Sequence, residues 1–169
     1  MKRKRAVVLV SGGLDSAVAL YKARHDGYDC VCLLFDYGQR HKKELRMAAR
    51  IARKAGCAYH VLAIDLPWKG SSLLDKKSAV PDSSRRALTE HIPNTYVPAR
   101  NTIFLSFALS CAEATRASAI YIGAHAQDYS GYPDCRPAYY RAFNRVMRAG
   151  TKAGVEGRSI QLKTPLIDL

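Results

Sequence analysis

The sequence predicts an α/β protein in which a parallel sheet lies between two layers of helices, a three-layer α/β/α sandwich. Residues 6–10 form a short apolar, β-branched run, which is typical of a buried parallel strand. Further strands are predicted at 29–35, 58–66, 119–123 and 160–164. Helical stretches separate these strands, and such alternation indicates βαβ units. At 169 residues we expect a single domain that spans residues 1–169.

The helices are predicted from apolar periodicity and from the glycines that interrupt it. The first begins in the turn after the first strand, with Asp15 or Ser16 as its cap. We expect Ala17, Val18 and Tyr21 on its apolar face. The remaining helices are expected over 42–55, 103–116 and 138–147.

Residues 67–95 are the least regular part of the chain, with several prolines among serines and charged residues. A loop of this length inside a domain is either functional or disordered. We interpret it as a mobile flap over the site that contains a short helix or two. Trp68 either stacks on a base or pins the loop.

The turn between the first strand and the first helix predicts an anion-binding site. Ser11, Gly12 and Gly13 interrupt the strand with two residues that tolerate positive φ. A strand, a glycine-rich turn and a helix N-terminus direct free N–H groups and the positive end of the helix dipole at one spot. Ser11 and Ser16 add hydroxyl donors, and Asp15 could hold a Mg²⁺ that bridges phosphate oxygens. The turn lacks the lysine of a Walker P-loop, and an ordinary tight turn is the alternative.

Polar residues follow other predicted strands at the same edge of the sheet. Asp36 and Gln39 come after the second strand, where ligands gather in open α/β sheets. Arg100 and Asn101 lie just before the third helix or in its first turn. A guanidinium there can fork onto phosphate, and the amide can cap the helix or bond a ribose or base. The loop 123–137 combines turn formers, carboxylates, aromatics and a guanidinium, which suits a planar, hydrogen-bonding ligand.

The net charge of +13 suits anionic ligands such as nucleotides. Much of it lies on the second predicted helix, at Arg40, Lys42, Lys43, Arg46, Arg50, Arg53 and Lys54. We interpret this spacing as the solvated face of an amphipathic helix. No RNA-binding motif with stacking aromatics accompanies it, so we do not expect nucleic-acid binding.

The cysteines and the apolar runs indicate the compartment. The chain has five cysteines and no CxxC pair, so we expect a reducing cytoplasm and no disulfide. Cys30 and Cys32 share one face of a strand and are predicted to be core residues. No apolar run approaches the roughly 18 residues that a membrane span needs, and the basic N-terminus is not a secretory signal.

Five segments, taken together, resemble one family. The first, Val-Ser-Gly-Gly-Leu-Asp-Ser at 10–16, resembles the pyrophosphate loop of the ATP-pyrophosphatase superfamily. The others are Asp-Tyr-Gly-Gln-Arg-His at 36–41, Tyr-Val-Pro-Ala-Arg-Asn-Thr at 96–102, Asp-Tyr-Ser-Gly-Tyr-Pro-Asp-Cys-Arg-Pro at 128–137 and Thr-Pro-Leu-Ile-Asp-Leu at 164–169. The set is similar to the 7-cyano-7-deazaguanine synthase family of the queuosine pathway, over nearly the whole chain.

The resemblance implies a cytoplasmic ATP-dependent ligase on a Rossmann-like, adenine nucleotide α-hydrolase-like fold. Such an enzyme converts 7-carboxy-7-deazaguanine and ammonia to the nitrile, through an acyl-adenylate and an amide, with release of AMP and pyrophosphate. ATP is consumed in both activation steps, with Mg²⁺ as the metal. The ammonia would be free or supplied by a partner, because the chain has no room for a glutaminase domain.

The resemblance also implies roles for individual residues. Asp15, on the metal, Ser16 and Arg100, on phosphate or the adenylate, form the expected catalytic set. The nucleotide and its pyrophosphate would be bound by Val10, Ser11, Gly12, Gly13, Leu14, Asp15, Ser16, Asp36, Gln39, Arg100, Asn101 and Gly123. The deazaguanine pocket would consist of Asp128, Tyr129, Tyr132, Asp134 and Arg136, although each of these could equally stabilise a turn.

The chain departs from the family pattern at one point. Members carry a four-cysteine zinc site in a C-terminal segment beyond the stretch at 164–169, and this sequence stops at Leu169. Its cysteines lack zinc-ligand spacing, so we expect Zn²⁺ for the family but no zinc ligand in this chain. The family's homodimer is expected only with that segment.

Two other functions remain open from the sequence. The first is a tRNA-modifying enzyme of the same superfamily, which would account for the positive charge. The second is a truncated, non-catalytic nucleotide-binding protein, which would hold ATP without forming AMP.

Overall fold

The computed structural model describes residues 3–38, 42–67, 96–125 and 132–167. Within them, five strands form one sheet in the order β3-β2-β1-β4-β5, and every neighbouring pair is parallel. The strands are β1 (Arg5–Leu9), β2 (Asp29–Asp36), β3 (Ala58–Ala63), β4 (Ala119–Tyr121) and β5 (Gln161–Lys163). The predicted parallel α/β architecture is confirmed.

The helices of the described residues are α1 (Leu14–His25), α2 (Lys42–Lys54), α3 (Arg100–Ala114), α4 (Pro137–Gly150) and the short α5 (Lys152–Val155). A 3₁₀ turn at Pro133–Cys135 precedes α4. The sequence reading missed α5, in which the Thr151 hydroxyl caps the helix by accepting from the Gly154 N–H at 2.9 Å. Across the residues described, no helix is long and apolar enough to cross a bilayer.

Side chains of β1 alternate between two apolar cores, one on each face of the sheet. Val7 and Leu9 pack in one core, under α3 and α4. Ala6, Val8 and Val10 pack in the other, under α1 and α2. The helices therefore cover both faces, which produces the three layers expected from the sequence.

The second core contains the two cysteines predicted to be internal. Cys30 and Cys32 are 3% and 0% exposed. Burial raises the pKa of the Cys30 thiol to about 12, so it stays protonated and packs as a small apolar group.

Helix α1 differs from its sequence prediction in two respects. Its N-cap position is Gly13, with no side-chain cap, so neither Asp15 nor Ser16 caps it. Its buried residues are Ser16, Ala19, Leu20 and Ala23, whereas Val18 and Tyr21 are exposed. Because apolar residues lie all around this helix, periodicity does not identify the face that meets the sheet.

Several strands are shorter than predicted. β3 ends at Ala63 rather than at residue 66, although the Ile64 N–H still donates to the Asp36 carbonyl at 2.7 Å. β4 ends at Tyr121 rather than at residue 123. In both cases apolar residues continue past the strand end into segments that pack without regular pairing, so composition overestimates the length.

The topology identifies where a ligand would bind. From β1 the chain proceeds outward through β2 and β3, and it then returns to place β4 on the other side of β1. In open α/β sheets, ligands bind outside the carboxyl ends of the strands at such a reversal. The loop at 10–13 leaves β1 at this edge. The predicted flap, including Trp68, lies outside the described residues apart from Pro67.

Candidate active site at the carboxyl edge of the sheet

The loop after β1 is organised by two serine hydroxyls. The Ser16 Oγ accepts from the Ser11 N–H at 3.2 Å and from the Ser11 hydroxyl at 3.1 Å. It donates to the Gly13 carbonyl at 2.9 Å, and the Gly13 N–H donates to Ser11 Oγ at 3.3 Å. Ser16 is 7% exposed. Its hydroxyl therefore holds the loop in shape from within, rather than standing at the surface as a donor to a ligand.

Two glycines allow close backbone approaches beneath this loop. Gly12 has φ +94°, and a Cβ there would lie 2.4 Å from the Glu44 carbonyl oxygen in α2. A Cβ at Gly123, just after β4, would lie 2.5 Å from the Asp15 carbonyl oxygen. The N-terminus of α1 thus lies directly against the end of β4, at the reversal of the sheet. Only one of the two loop glycines uses positive φ, because Gly13 has φ −81°.

Asp15 is exposed in the first turn of α1. Mg²⁺ in nucleotide sites is commonly held by one or two carboxylates together with phosphate oxygens, so a single exposed carboxylate beside an anion loop fits that ion. Among residues 3–38, 42–67, 96–125 and 132–167, no group of three His, Cys, Asp or Glu side chains could hold a metal by itself.

Arg100 is the first residue of α3 and lies against the end of β2. Its Nη1 donates to the Tyr37 hydroxyl at 3.3 Å, and its guanidinium carbon lies 5.9 Å from the centroid of that ring. Burial lowers the pKa of Arg100, but Tyr37 and then Asp134 outweigh this effect and raise it overall. The guanidinium therefore stays cationic beside Tyr37, the residue that follows β2 at this edge.

The residue before Arg100 has an unusual backbone. Ala99 has φ 53° and ψ 25°, in the left-handed region that non-glycine residues seldom adopt. The Tyr96 hydroxyl accepts from the Ala99 N–H at 2.9 Å and stabilises this turn. Strained residues of this kind cluster at functional sites, and this one determines where α3 and its arginine begin.

Asn101 and Asp134 bind each other across 33 residues of sequence. The Asp134 Oδ2 accepts from the Asn101 N–H at 2.9 Å. The Asn101 Nδ2 donates to the Asp134 carbonyl at 3.2 Å and to Cys135 Sγ at 3.1 Å. Asp134 is 6% exposed. The identified amide donors of Asn101 are therefore used between protein groups rather than directed at a ribose or base.

A cavity of ≈ 480 Å³ opens at the carboxyl ends of β2 and β3. It is lined by Asp36, Tyr37, Gly38, Ala63, Ile64, Asp65 and Leu66. Of these, Asp36 is predicted from the sequence to bind nucleotide, whereas residues 63–66 are not. The position of the carboxyl end of the third strand would have identified these four residues. The apolar run at 58–66 instead predicts that the strand continues through residue 66.

The expected deazaguanine pocket is described only in part. Asp128 and Tyr129 lie outside the described residues, as does Gln39 of the expected nucleotide set. The Tyr132 ring centroid lies 6.1 Å from that of Tyr96. Arg136 is exposed at the N-cap position of α4.

Comparison with known proteins shows a family relationship over most of the chain. The family model described as "Queuosine biosynthesis protein QueC" matches residues 5–169. A 7-cyano-7-deazaguanine synthase from Acaryochloris marina is 54% identical over 167 residues, covering 98% of this chain and 73% of that protein. Proteins of the same name from Saccharophagus degradans and Anaeromyxobacter sp. are 54% and 55% identical, covering 74% and 72% of their lengths.

A solved structure supports the fold alone. A protein titled as a predicted subunit of tRNA methyltransferase, from Methanocaldococcus jannaschii, superposes with a TM-score of 0.54 at 17% identity. The match covers 97% of this chain and 68% of that one. At this identity the likeness concerns the architecture and not the activity.

Proposed function

The chain belongs to the family of queuosine biosynthesis protein QueC, and from that premise we propose that it acts as a 7-cyano-7-deazaguanine synthase. The reaction is the ATP-dependent conversion of 7-carboxy-7-deazaguanine and ammonia to 7-cyano-7-deazaguanine, with AMP and pyrophosphate released. It forms carbon–nitrogen bonds, as a ligase does. The observation that carries the proposal is the Ser11–Ser16 loop, internally hydrogen-bonded and located where the sheet reverses direction.

The chemistry requires a carboxylate to become an electrophile. Its oxygen attacks the α-phosphorus of ATP, and pyrophosphate leaves. Ammonia then displaces AMP from the acyl carbon and forms the amide. The amide oxygen attacks the α-phosphorus of a second ATP, and pyrophosphate leaves again. Loss of AMP with two protons then gives the nitrile.

The loop after β1 accounts for the first of these steps. The N–H groups of the first turn of α1, at Leu14 to Ser16, have no acceptor within the helix. Together with the positive end of the helix dipole they stabilise the negative charge that develops on departing pyrophosphate. The Ser16 hydroxyl fixes the loop in advance, so no reorganisation is needed as that charge forms. Asp15 would hold Mg²⁺, which would supply additional neutralisation of the phosphate charge. Val10 and Leu14 contribute backbone on either side of the loop.

Arg100 carries a fixed positive charge at the same edge. Its one identified side-chain hydrogen bond, to Tyr37, leaves further guanidinium N–H groups for a phosphate or the adenylate. The cavity beside Asp36 has room for the nucleoside part of ATP, and Gly123 supports the loop from below. Tyr132 and Arg136, together with Asp128 and Tyr129, are assigned to the deazapurine. The proposed domain spans residues 1–169, and no step is assigned to zinc.

The proposal is tested by a product assay on the full chain. The protein is incubated with 7-carboxy-7-deazaguanine, ATP, Mg²⁺ and ammonium, and products are identified by mass spectrometry. We expect the nitrile, with AMP formed in both activation steps, and no nitrile when ammonium is omitted. Arg100→Ala should lower kcat/KM for ATP by about 10- to 100-fold. Asp29→Asn, exposed at the opposite edge of the sheet, is the matched control.

Two results would contradict the proposal. ATP bound without AMP or nitrile formation would indicate a nucleotide-binding protein instead of an enzyme. AMP formed only when tRNA replaces the deazapurine acid would favour a tRNA-modifying enzyme of the same superfamily.

A further inference from the structure

Helix α3 begins without a cap of its own. Its N-cap residue is Ala99, which offers no side-chain acceptor, and its first turn contains no acidic residue. The first residue is instead a cation, Arg100, at the end of the helix where the dipole is positive. Both features disfavour a helix start at this position. An acceptor and a negative charge must therefore come from elsewhere in the fold.

Asp134 supplies both. Its Oδ2 accepts from the Asn101 N–H at 2.9 Å, the kind of bond that a capping side chain makes, although it comes from a separate segment. Asp134 as a whole is 6% exposed, and its carboxylate contributes to raising the pKa of Arg100. A carboxylate so deeply buried, with one oxygen already bound to the helix, has little surface left to present to a substrate.

The contact is reciprocal and is reinforced nearby. The Asn101 side chain donates to the Asp134 carbonyl at 3.2 Å and to Cys135 Sγ at 3.1 Å. The next residue of α3 is also bound to this segment, because the Tyr139 hydroxyl donates to Thr102 Oγ1 at 2.9 Å. The start of α3 and the segment 132–139 are therefore joined by four hydrogen bonds on the described residues. We call the Asn101–Asp134 contact the clasp.

We propose that Asp134 is a positioning residue, which through the clasp holds Arg100 in place for ATP and does not itself contact the deazapurine. The proposal rests on the proposed function, since it assigns Arg100 to phosphate and the 132–136 segment to the acid substrate. It replaces the pocket role that the sequence indicated for Asp134.

Three single variants, one double variant and one control separate this role from the alternatives. Asp134→Ala removes the acceptor and the charge, whereas Asp134→Asn keeps an acceptor oxygen for the Asn101 N–H. Asn101→Ala removes the bonds in the other direction, and the double variant Asn101→Ala/Asp134→Ala tests whether the two residues act as one unit. Asp29→Asn is the control for loss of a carboxylate elsewhere. Each variant is measured for kcat, for KM of ATP and of the acid, and for thermal unfolding.

We expect Asp134→Ala to lower kcat/KM for ATP by about 10- to 100-fold, because a displaced guanidinium no longer meets the phosphates. The KM for 7-carboxy-7-deazaguanine should stay within about twofold of the parent value. Asp134→Asn should recover most of the loss. The double variant should be more impaired than Asp134→Ala alone, since Asn101→Ala removes the separate bonds that the Asn101 side chain donates to the Asp134 carbonyl and to Cys135 Sγ.

Three outcomes would overturn the proposal. If Asp134→Ala and Asp134→Asn both raise the KM for the acid and leave ATP kinetics intact, Asp134 contacts the substrate directly. If only the unfolding temperature falls, with kinetics per folded site unchanged, the clasp is merely structural. Should the parent chain form no nitrile, the dissociation constant for ATP is measured instead. Weaker ATP binding in Asp134→Ala that is restored in Asp134→Asn supports the positioning role of Asp134. Unchanged ATP binding overturns it.

Discussion

At the scale of single residues, the two glycines of the loop after β1 and a third glycine after α1 show that glycine is required at a position for different physical reasons. Gly12 needs both a left-handed φ and the absence of a Cβ, because α2 backbone lies where that atom would be. Gly27, after α1, has a similar φ of +85° but open space around it. Gly13 has an ordinary φ, and only the Ser11 hydroxyl lies near its missing Cβ, at 3.6 Å. The three positions therefore separate backbone strain from steric contact.

We expect Gly12→Ala to lower the free energy of unfolding by about 2 kcal/mol more than Gly27→Ala. Both variants incur left-handed strain of about 1 kcal/mol, but only the first forces α2 to move. Urea unfolding without nucleotide measures the difference. Gly13→Ala is the second control and should lie within about 1 kcal/mol of the parent. Equal losses at positions 12 and 27 would mean that the loop relaxes freely away from α2.

At the scale of elements, α2 combines a contact to the site with a strongly basic surface. Its inner residues Ala48, Ala52 and Ala55 are buried against the sheet, and their small size lets the helix lie close to it. Its outer residues Lys43, Arg46, Arg50, Arg53 and Lys54 are exposed, as the sequence predicted. Like charges three and four residues apart on a helix repel one another. This stripe therefore costs α2 stability in isolation.

Arg50→Glu is expected to raise the free energy of unfolding by about 0.5–1 kcal/mol at low salt. The change replaces repulsion from Arg46, Arg53 and Lys54 with attraction. Arg50→Gln, which removes the repulsion alone, should give about half of the gain. Both gains should nearly vanish at about 1 M salt, where the Debye length is near 3 Å. A gain that persists at high salt would point to packing or helix propensity instead of charge.

At the scale of the whole molecule, the sheet lies between two apolar cores. The same strands contribute to both cores, but with side chains from opposite faces of the sheet. Val7 and Val8 are adjacent in β1 and both fully buried, yet they belong to different cores. Leu9 and Leu33 are register partners in β1 and β2 and pack in the same core. The site lies at the edge where both cores end, so its geometry depends on each of them.

The two cores should respond independently to mutation. Val7→Ala and Val8→Ala should each cost about 1–3 kcal/mol, and the double variant should cost their sum within about 0.5 kcal/mol. The free-energy costs of Leu9→Ala and Leu33→Ala should instead deviate from additivity by at least about 0.5 kcal/mol, because the two truncations would leave one shared space in the same core. Calorimetric or urea unfolding of the single and double variants of each pair measures whether the costs are additive. Strong coupling between positions 7 and 8 would show that the sheet transmits strain across its faces.

The sequence by itself determined the order of strands and helices, the parallel sheet, the loop at 10–16 and the family. These features are local: a buried strand requires an apolar run, and an anion loop requires glycine and serine at fixed spacing. The buried positions of Cys30 and Cys32 followed from the same reasoning.

Only the tertiary structure decided which face of α1 meets the sheet, where β3 ends and what caps α3. Apolar residues surround α1, so its orientation depends on the sheet beneath it. Asp134 lies 33 residues from Asn101, whose N–H it caps, and Gly123 meets Asp15 where the neighbouring strands β4 and β1 end. Such contacts depend on how distant segments pack together, and no local pattern of residues encodes them.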